Sequence, residues 1–300
     1  MNILITGVAG RIGRAIHASL APAHDLLGLD RRPSPLTDIV SEIDDAVLLQ
    51  RALRGVDAIV HVAALHAPHV GVLPDREFER INVAATRQLI ALAREAGVRR
   101  VLYTSTTALY GRASTTPPGR AGWVDEATVP QPITIYHRTK LAAEALLEAA
   151  AHEGAFTLRI LRMSRCFPEP ASLMAAYRLH RGIDARDVAA GHVLALAHDG
   201  PATTTFLLSG VSPFEREDAA ALATDAPSVL RRRAPDLVAA YVERGWPLPA
   251  CIDRVYDSTR AQRELGWRPR HGFASVLTQW DARDPEVLAP TAAAVDARVE

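Results

Sequence analysis

Short runs of branched apolar residues alternate with amphipathic stretches along the first 210 residues of the chain. The apolar runs predict strands at residues 3–6, 26–30, 39–40, 57–62, 99–104, 157–162 and 205–208. The amphipathic stretches predict helices at residues 11–20, 46–54, 76–96, 134–153 and 187–197. Because strands that alternate with helices pair in parallel, the pattern predicts an α/β fold with a doubly wound, Rossmann-type parallel sheet.

The pattern changes after Gly210, where prolines at positions 213, 227, 235, 247 and 249 interrupt short helical stretches. No clean strand alternation returns there, so this part is expected to form a small, mostly helical C-terminal cap. We therefore predict two units. Residues 1–165 and 182–210 form the Rossmann domain, and residues 166–181 and 211–300 form the cap.

Composition and charge exclude several classes of protein. The 34 basic side chains balance the 34 acidic ones, so no net charge attracts a nucleic acid or an anionic membrane. Two cysteines, Cys166 and Cys251, are too few for a disulfide framework and favour a reducing compartment. Without an apolar run of about 18 residues or a signal peptide, the sequence predicts a cytoplasmic protein that binds neither nucleic acid nor membrane.

A glycine-rich turn joins the first predicted strand to the first predicted helix, with the sequence Thr6-Gly7-Val8-Ala9-Gly10-Arg11-Ile12-Gly13. Glycines let the backbone approach a pyrophosphate closely, and the N–H groups of a helix N-terminus attract an anion. The turn is therefore predicted to bind a dinucleotide through Gly7, Gly10, Arg11, Ile12 and Gly13.

Asp30 ends the second predicted strand and lies 23 residues after Gly7. This separation is close to the offset of about 20 residues expected for a carboxylate that binds an adenosine ribose. Such a carboxylate accepts hydrogen bonds from the ribose hydroxyls and repels a 2′-phosphate, so Asp30 favours NAD over NADP. Arg31 and Arg32 follow directly and offer the alternative, since either side chain can hold the phosphate of NADP.

All but one of the 34 basic residues are arginine, and the single lysine, Lys140, lies four residues after Tyr136 in a predicted helix. This spacing places both side chains on one helix face. An ammonium beside a phenol favours the phenolate and lowers the pKa of the tyrosine toward the range needed for proton transfer. Because so arginine-rich a chain retains lysine only at this position, we expect a compact ammonium to be required there.

Other polar residues give weaker signals. Hydroxyl side chains cluster where the fifth predicted strand ends, over Tyr103-Thr104-Ser105-Thr106-Thr107, and doubly wound folds bind ligands at such ends. His66 and His69 have a spacing found in metal sites but no accompanying carboxylate, so we expect loop histidines and no metal. Cys166 has no basic partner in the sequence, which favours a buried structural thiol.

Together these motifs resemble those of the extended short-chain dehydrogenases/reductases. The resemblance rests on residues 6–13, His61-Val62-Ala63-Ala64, Asn82-Val83, Tyr136-x-x-x-Lys140 and Glu264-Leu265-Gly266-Trp267-Arg268-Pro269. It covers residues 1–210 and, more loosely, residues 255–280. It implies redox chemistry with NAD or NADP on sugars, nucleotide sugars or related alcohols.

The resemblance also implies roles for single residues. Tyr136 is implied as the catalytic acid and base, and Lys140 as its electrostatic partner and a ribose contact. Thr106 takes the place of the family's catalytic serine or threonine, and Ser105 is the alternative. The other implied cofactor contacts are Glu42 and Ile43 beside the adenine, Ala63, Ala64 and the positioning residue Asn82.

A shorter stretch, Cys166-Phe167-Pro168-Glu169-Pro170, resembles the uronate dehydrogenases, which oxidise free hexuronates at C1. Two positions depart from that pattern. Thr107-Ala108 replaces Asn-His, and Met174 replaces the arginine that binds the substrate carboxylate. Thr107 is therefore a candidate substrate contact, and Arg178 or Arg181 is a candidate replacement for the missing arginine.

The sequence thus predicts a homodimeric, NAD-dependent oxidoreductase that acts on a hydroxyl of a small sugar or sugar acid. A small substrate is favoured because only residues 163–181 lie where family members that bind nucleotide sugars carry a long insertion. The alternative enzyme is a nucleotide-sugar epimerase or dehydratase with tightly bound NAD. The non-catalytic alternative is a cofactor-sensing regulator of the same fold, but such proteins typically lack the Tyr–Lys pair.

Overall fold

A parallel sheet of seven strands forms the centre of the computed structural model, which describes residues 1–115 and 117–289. In chain order the strands are β1 (Asn2–Thr6), β2 (Asp25–Asp30), β3 (Ile39–Val40), β4 (Ala58–His61), β5 (Arg100–Thr106), β6 (Gly122–Val124), β7 (Thr157–Met163), β8 (Glu169–Pro170), β9 (Thr203–Leu208), β10 (Arg254–Tyr256) and β11 (Val287–Leu288). The sheet has the order β3-β2-β1-β4-β5-β7-β9, and every neighbouring pair is parallel. This confirms the predicted doubly wound, Rossmann-type fold.

The described residues form twelve α-helices. They are α1 (Arg11–Leu20), α2 (Ala46–Ala52), α3 (Asp75–Phe78), α4 (Ala85–Glu95), α5 (Ile135–His152), α6 (Ala171–Tyr177), α7 (Ala185–Ala197), α8 (Ala219–Thr224), α9 (Ala226–Arg233), α10 (Pro235–Glu243), α11 (Thr259–Glu264) and α12 (Phe273–Asp281). In β1, Leu4 packs into one core with α2, α4 and α5, whereas Ile3 and Ile5 pack into another with α1 and α7. Successive strand residues point to opposite faces, so the two cores lie on opposite sides of the sheet. Among the described residues, no helix has the length and apolar character to cross a membrane.

The long helix predicted over residues 76–96 is interrupted. α3 ends at Phe78, a π-helical turn spans Glu79–Ala84, and α4 begins at Ala85. A π-helical turn holds one residue more than an α-helical turn. Because the backbone dihedrals stay helical on both sides of it, the spacing of apolar residues in the sequence hardly reveals this insertion. The turn contains Asn82, which is buried.

The structure also contains short strands that the sequence pattern does not predict. β10 pairs in parallel with β6, and β11 pairs in parallel with β8. Strands of two or three residues are too short to produce a detectable alternation. A third apolar core, which includes Met174, Leu222, Leu237 and Val276, packs α6 against the helices after Gly210. Residues 290–300 of the predicted cap lie outside the described residues.

Candidate active site

The glycine-rich turn between β1 and α1 forms one end of a cavity of about 720 Å³. Gly7 has a φ of +75°, and a Cβ at this position would lie 2.8 Å from the backbone nitrogen of Ala63. A Cβ on Gly13 would lie 2.2 Å from the carbonyl oxygen of Gly7, so Gly13 lies behind the turn and allows α1 to pack against it. Gly10 precedes α1 without a side-chain cap, which leaves the first N–H groups of the helix available to an anion.

Asp30 lies at the carboxyl end of β2, beside the glycine-rich turn. Its buried carboxylate accepts hydrogen bonds from the backbone N–H groups of Ala9 (3.0 Å) and Arg32 (2.9 Å). Arg31 and Arg32 are exposed, and the Arg32 Nε lies 3.9 Å from the Asp30 carboxylate. The other predicted cofactor contacts that line the cavity are Arg11, Ile12, Glu42, Ile43, Ala63 and Ala64.

Tyr136 lies in the first turn of α5, which begins at a capping Thr134. The Thr106 hydroxyl, at the end of β5, lies near the Tyr136 phenol. Burial raises the pKa of Tyr136 to about 12, although the nearby Thr106 hydroxyl works against this. The expected lowering of the tyrosine pKa is therefore wrong for this structure, because burial outweighs the opposing effect of Thr106.

Lys140 lies one helical turn after Tyr136 and is also buried. Its Nζ donates a hydrogen bond to the carbonyl oxygen of Thr104 (2.8 Å) and lies 3.9 Å from the centroid of the Tyr103 ring. Burial lowers the pKa of Lys140 to about 7, and the negative charge of Glu144 opposes this shift. The ammonium therefore contacts both a carbonyl oxygen and an aromatic face, which stabilise its charged form.

Ser105 and Thr107 flank Thr106, and all three line the cavity. The Ser105 hydroxyl is buried and has no hydrogen-bond partner among the described residues. The Thr106 hydroxyl also accepts a hydrogen bond from the backbone N–H of Ala108 (3.1 Å), which fixes its orientation toward the turn that follows β5.

Asn82 does not line the cavity, and its contact with the cofactor stays a prediction. Its side chain accepts a hydrogen bond from the Leu65 N–H (2.8 Å) and donates to the Leu65 carbonyl (3.0 Å) and the Thr139 hydroxyl (3.1 Å). Leu65 follows β4 on the cavity wall, and Thr139 lies between Tyr136 and Lys140 in α5. Asn82 therefore connects two walls of the site, which agrees with the positioning role implied by the resemblance.

The two arginines suggested as substrate contacts differ in position. Arg178 does not line the cavity, because its buried guanidinium donates to the Asp184 carboxylate (3.1 Å). The prediction for Arg178 is therefore wrong, and the side chain has a structural role. Arg181 lines the cavity, stacks over the Tyr177 ring at 4.5 Å and lies 3.5 Å from the Asp253 carboxylate.

Several cavity residues were not predicted from the sequence. Arg254 and Tyr256 reach the cavity from β10, and Glu286 is ion-paired with Arg11 at the glycine-rich turn. These residues lie far along the sequence from the other cavity residues, and no local motif around them predicts that they line the cavity. His66 lies in a loop, as predicted, but it also lines the cavity. Its position after β4 could have indicated this, because doubly wound folds bind ligands at the carboxyl ends of their strands.

The histidine pair and the cysteine have no metal-binding arrangement. The His66 and His69 rings meet edge to face with centroids 4.5 Å apart, and His66 also stacks on Phe167. Burial lowers the pKa of His66 to about 4, so its ring is neutral at pH 7. Among the described residues, no group of three or more His, Cys, Asp or Glu side chains is placed to hold a metal ion. Cys166 is buried, and burial raises the pKa of its thiol to about 11, as expected for a structural cysteine.

Comparison with known proteins gives a consistent picture. The chain is 25% identical over 284 residues to the L-arabinose 1-dehydrogenase (NAD(P)(+)) of Haloferax volcanii, which covers 92% of this chain and 99% of that protein. It is 30% identical to the UDP-glucose 4-epimerase of Azospirillum brasilense, but only over 54% of this chain and 48% of the epimerase. A solved structure of a mutated uronate dehydrogenase superposes with a TM-score of 0.66 at 18% identity, covering 94% of this chain and 86% of that one. The last comparison shows a likeness of fold.

The family assignment follows from the N-terminal half of the chain together with its fold. Residues 3–172, which contain the glycine-rich turn, Asp30, Thr106 and the Tyr–Lys pair, match the model of one family. That family contains NAD-dependent enzymes of the extended short-chain dehydrogenase/reductase type. The chain belongs to the NAD dependent epimerase/dehydratase family.

Proposed function

We propose that the protein catalyses the NAD-dependent oxidation of a hydroxyl group on a small sugar or sugar acid. One observation carries this proposal: a single cavity joins the glycine-rich turn and Asp30 to Thr106, Tyr136 and Lys140. A cofactor site and an acid–base site that share one cavity are suited to removing a hydride and a proton from the same alcohol.

The residues at one end of the cavity fit NAD. The absence of a side chain at Gly7 allows the backbone to approach a pyrophosphate, and Gly13 allows α1 to pack against the turn. Asp30 is placed to accept hydrogen bonds from a ribose. When bound, NAD supplies the hydride acceptor and the positive charge of its oxidised nicotinamide ring.

Tyr136 and Thr106 divide the proton chemistry between them. The Tyr136 phenolate accepts the proton of the substrate hydroxyl, and the same group returns a proton when the reaction runs in reverse. Thr106 donates a hydrogen bond to the reacting oxygen, which becomes stronger as negative charge develops there. Because burial raises the pKa of Tyr136 to about 12, the nearby positive charge of Lys140 is needed to favour the phenolate.

The size of the cavity favours a small substrate. A volume of about 720 Å³ lies within the range of about 300–1,000 Å³ that is typical of one ligand site. A dinucleotide bound at the glycine-rich turn would share that volume with the substrate, which favours a sugar over a second nucleotide. Between β7 and α7 the chain forms only β8 and the seven-residue α6, which agrees with the absence of a nucleotide-binding insertion.

The charge at the substrate end favours an acidic sugar. Arg165 and Arg181 line the cavity, lie over the Tyr177 ring and each have one carboxylate partner. Arg181 contacts its partner, Asp253, at 3.5 Å, so its remaining N–H donors are available to a substrate carboxylate. We therefore assign the recognition of a sugar carboxylate to Arg181.

Steady-state kinetics with galacturonate and galactose test the proposal, because galacturonate carries a carboxylate where galactose carries a hydroxymethyl group. The wild-type protein should reduce NAD with a free sugar, and Arg181→Gln should lower kcat/KM for galacturonate by roughly 10–100-fold, as expected for a charged hydrogen bond. The value for galactose should change little. Arg216→Gln, at an exposed arginine outside the cavity, is the matched control.

Calorimetry with UDP distinguishes the competing epimerase function. Micromolar binding of UDP by itself, or NAD that copurifies tightly and is recovered unchanged after turnover, would contradict the proposal. Either result would support a nucleotide-sugar epimerase or dehydratase instead.

A further inference from the structure

Three polar residues of α5 lie on one buried face of the helix. Tyr136, Lys140 and Glu144 follow one another at intervals of four residues, which places them on neighbouring turns. Glu144 is only 2% exposed, and it does not line the cavity. The proposed chemistry uses the first two residues and leaves the third without a role.

The Glu144 carboxylate is held by an arginine from the sheet. The Arg162 guanidinium, on β7, donates from Nη2 to Oε2 (2.6 Å) and from Nε to Oε1 (3.1 Å). Arg162 also donates to the Tyr110 hydroxyl (3.1 Å), so the pair has little freedom to move. A bidentate contact of this kind pairs the buried carboxylate with a positive charge and fixes its position.

The surroundings of Lys140 contain few charges. Among the described residues, the titratable or charged groups around Lys140 are His61 on β4, Tyr103 on β5, and Tyr136 and Glu144 on α5. Those around Glu144 and its partner are Arg162 on β7, Tyr110 after β5 and Glu148 on α5. Burial keeps the His61 ring neutral and the Tyr103 and Tyr136 phenols protonated at pH 7. Of the groups that act directly on Lys140, Glu144 is therefore the one that carries negative charge.

We infer that Glu144 is a positioning residue that keeps the buried Lys140 in its ammonium form, while Arg162 holds the Glu144 carboxylate in place. The inference rests on the proposed role of Lys140 beside Tyr136. One turn of helix separates the two charged groups, and burial leaves their attraction weakly screened. Burial alone favours the neutral amine of Lys140, and the charge of Glu144 is what opposes that effect.

The single lysine of the chain makes the charge of Lys140 directly measurable. Protein labelled with ¹³C-lysine has one lysine side chain to observe, so an NMR titration follows Lys140 without ambiguity. Glu144→Gln should lower the pKa of Lys140 by roughly one unit or more, as expected when a buried opposite charge is removed. Turnover at neutral pH should fall about tenfold, and the pH optimum should move to lower pH, where the ammonium persists.

Two further variants complete the test. Glu148→Gln removes a half-buried carboxylate one turn further along α5 and should leave the pKa of Lys140 unchanged. The double variant Glu144→Gln/Arg162→Gln avoids an unpaired buried arginine and should still lower that pKa, even where the single variant fails to fold. An unchanged Lys140 pKa in the folded single or double variant would overturn the inference. A lowered pKa with unchanged turnover would support the inference and contradict the proposed role of Lys140.

Discussion

At the residue scale, Tyr136 and Lys140 are both buried, and burial moves their pKa values in opposite directions. The pKa of Tyr136 rises to about 12 and that of Lys140 falls to about 7. Desolvation disfavours the charged form of each group, so the neutral phenol and the neutral amine are favoured over the phenolate and the ammonium. The proposed catalytic pair needs the two charged forms, which is why the charges near these two side chains matter for the proposed activity.

Replacing Tyr136 with Phe removes the proposed proton acceptor and keeps the aromatic ring. Turnover should fall by about 10²–10⁴-fold, the range expected for the loss of a general acid–base group. NAD binding, followed by fluorescence titration, should stay nearly unchanged because the glycine-rich turn and Asp30 are intact. Tyr241→Phe, in the cap core, is the control for a lost buried hydroxyl. Turnover of Tyr136→Phe near that of the wild type would assign proton transfer to another group.

Some site residues were predictable because their signal is local in the sequence. Gly7, Asp30 and the Tyr136–Lys140 pair each occupy a fixed spacing, and the structure brings them to one cavity. Arg178 was not predictable in this way, since only the fold shows that Asp184 holds its guanidinium away from the cavity. Spacing identifies a residue's neighbours along the chain, whereas its partner from another element depends on packing.

At the element scale, the π-helical turn at Glu79–Ala84 places Asn82 between two walls of the site. The Asn82 side chain makes two hydrogen bonds with the Leu65 backbone and one with Thr139. The sequence predicted a continuous helix because the inserted residue leaves the apolar pattern almost unchanged. The helix was predictable, but the irregularity that positions Asn82 was not.

Asn82→Ala should loosen the segment after β4 from α5. Loss of these buried hydrogen bonds should lower the free energy of unfolding by about 1–3 kcal/mol and weaken NAD binding. Urea unfolding and an NAD titration measure the two effects. Asn82→Asp keeps the acceptor for the Leu65 N–H but sets a buried carboxylate against the Leu65 carbonyl oxygen, so it should lower stability at least as much. If Asn82→Ala bound NAD as tightly as the wild type, Asn82 would have no positioning role.

At the scale of the whole molecule, the site is assembled from parts that are far apart in the sequence. β10 brings Arg254 and Tyr256 to the cavity by pairing with β6, and Glu286 reaches the glycine-rich turn from the segment before β11. The alternation of strands and helices was enough to predict the Rossmann sheet, because each βαβ unit is local. The cap was predicted only in outline, since its short strands pair across more than 100 residues.

Three fully buried histidines contribute to the pH dependence of the stability of the whole molecule. His61, His180 and His192 are buried, and burial lowers their pKa values to about 3, 3 and 4. In the unfolded chain their pKa is about 6.5, so below that pH the unfolded state binds protons that the folded state does not. Stability is therefore complete above about pH 6.5 and is lost as the pH falls toward 4.

Urea unfolding between pH 7 and pH 4.5 measures this loss. Near pH 5 each of the three histidines should lower the free energy of unfolding by about 1.4 kcal/mol per pH unit, because each accounts for nearly one proton. His192→Gln should reduce the slope by about 1.4 kcal/mol per pH unit, even if it also lowers stability at pH 7 through its lost contact with Thr104. His152→Gln, at an exposed position, is the control and should leave the slope unchanged. A free energy of unfolding that stays constant between pH 7 and pH 5 would show that these rings accept protons in the folded protein, and that burial does not keep them neutral.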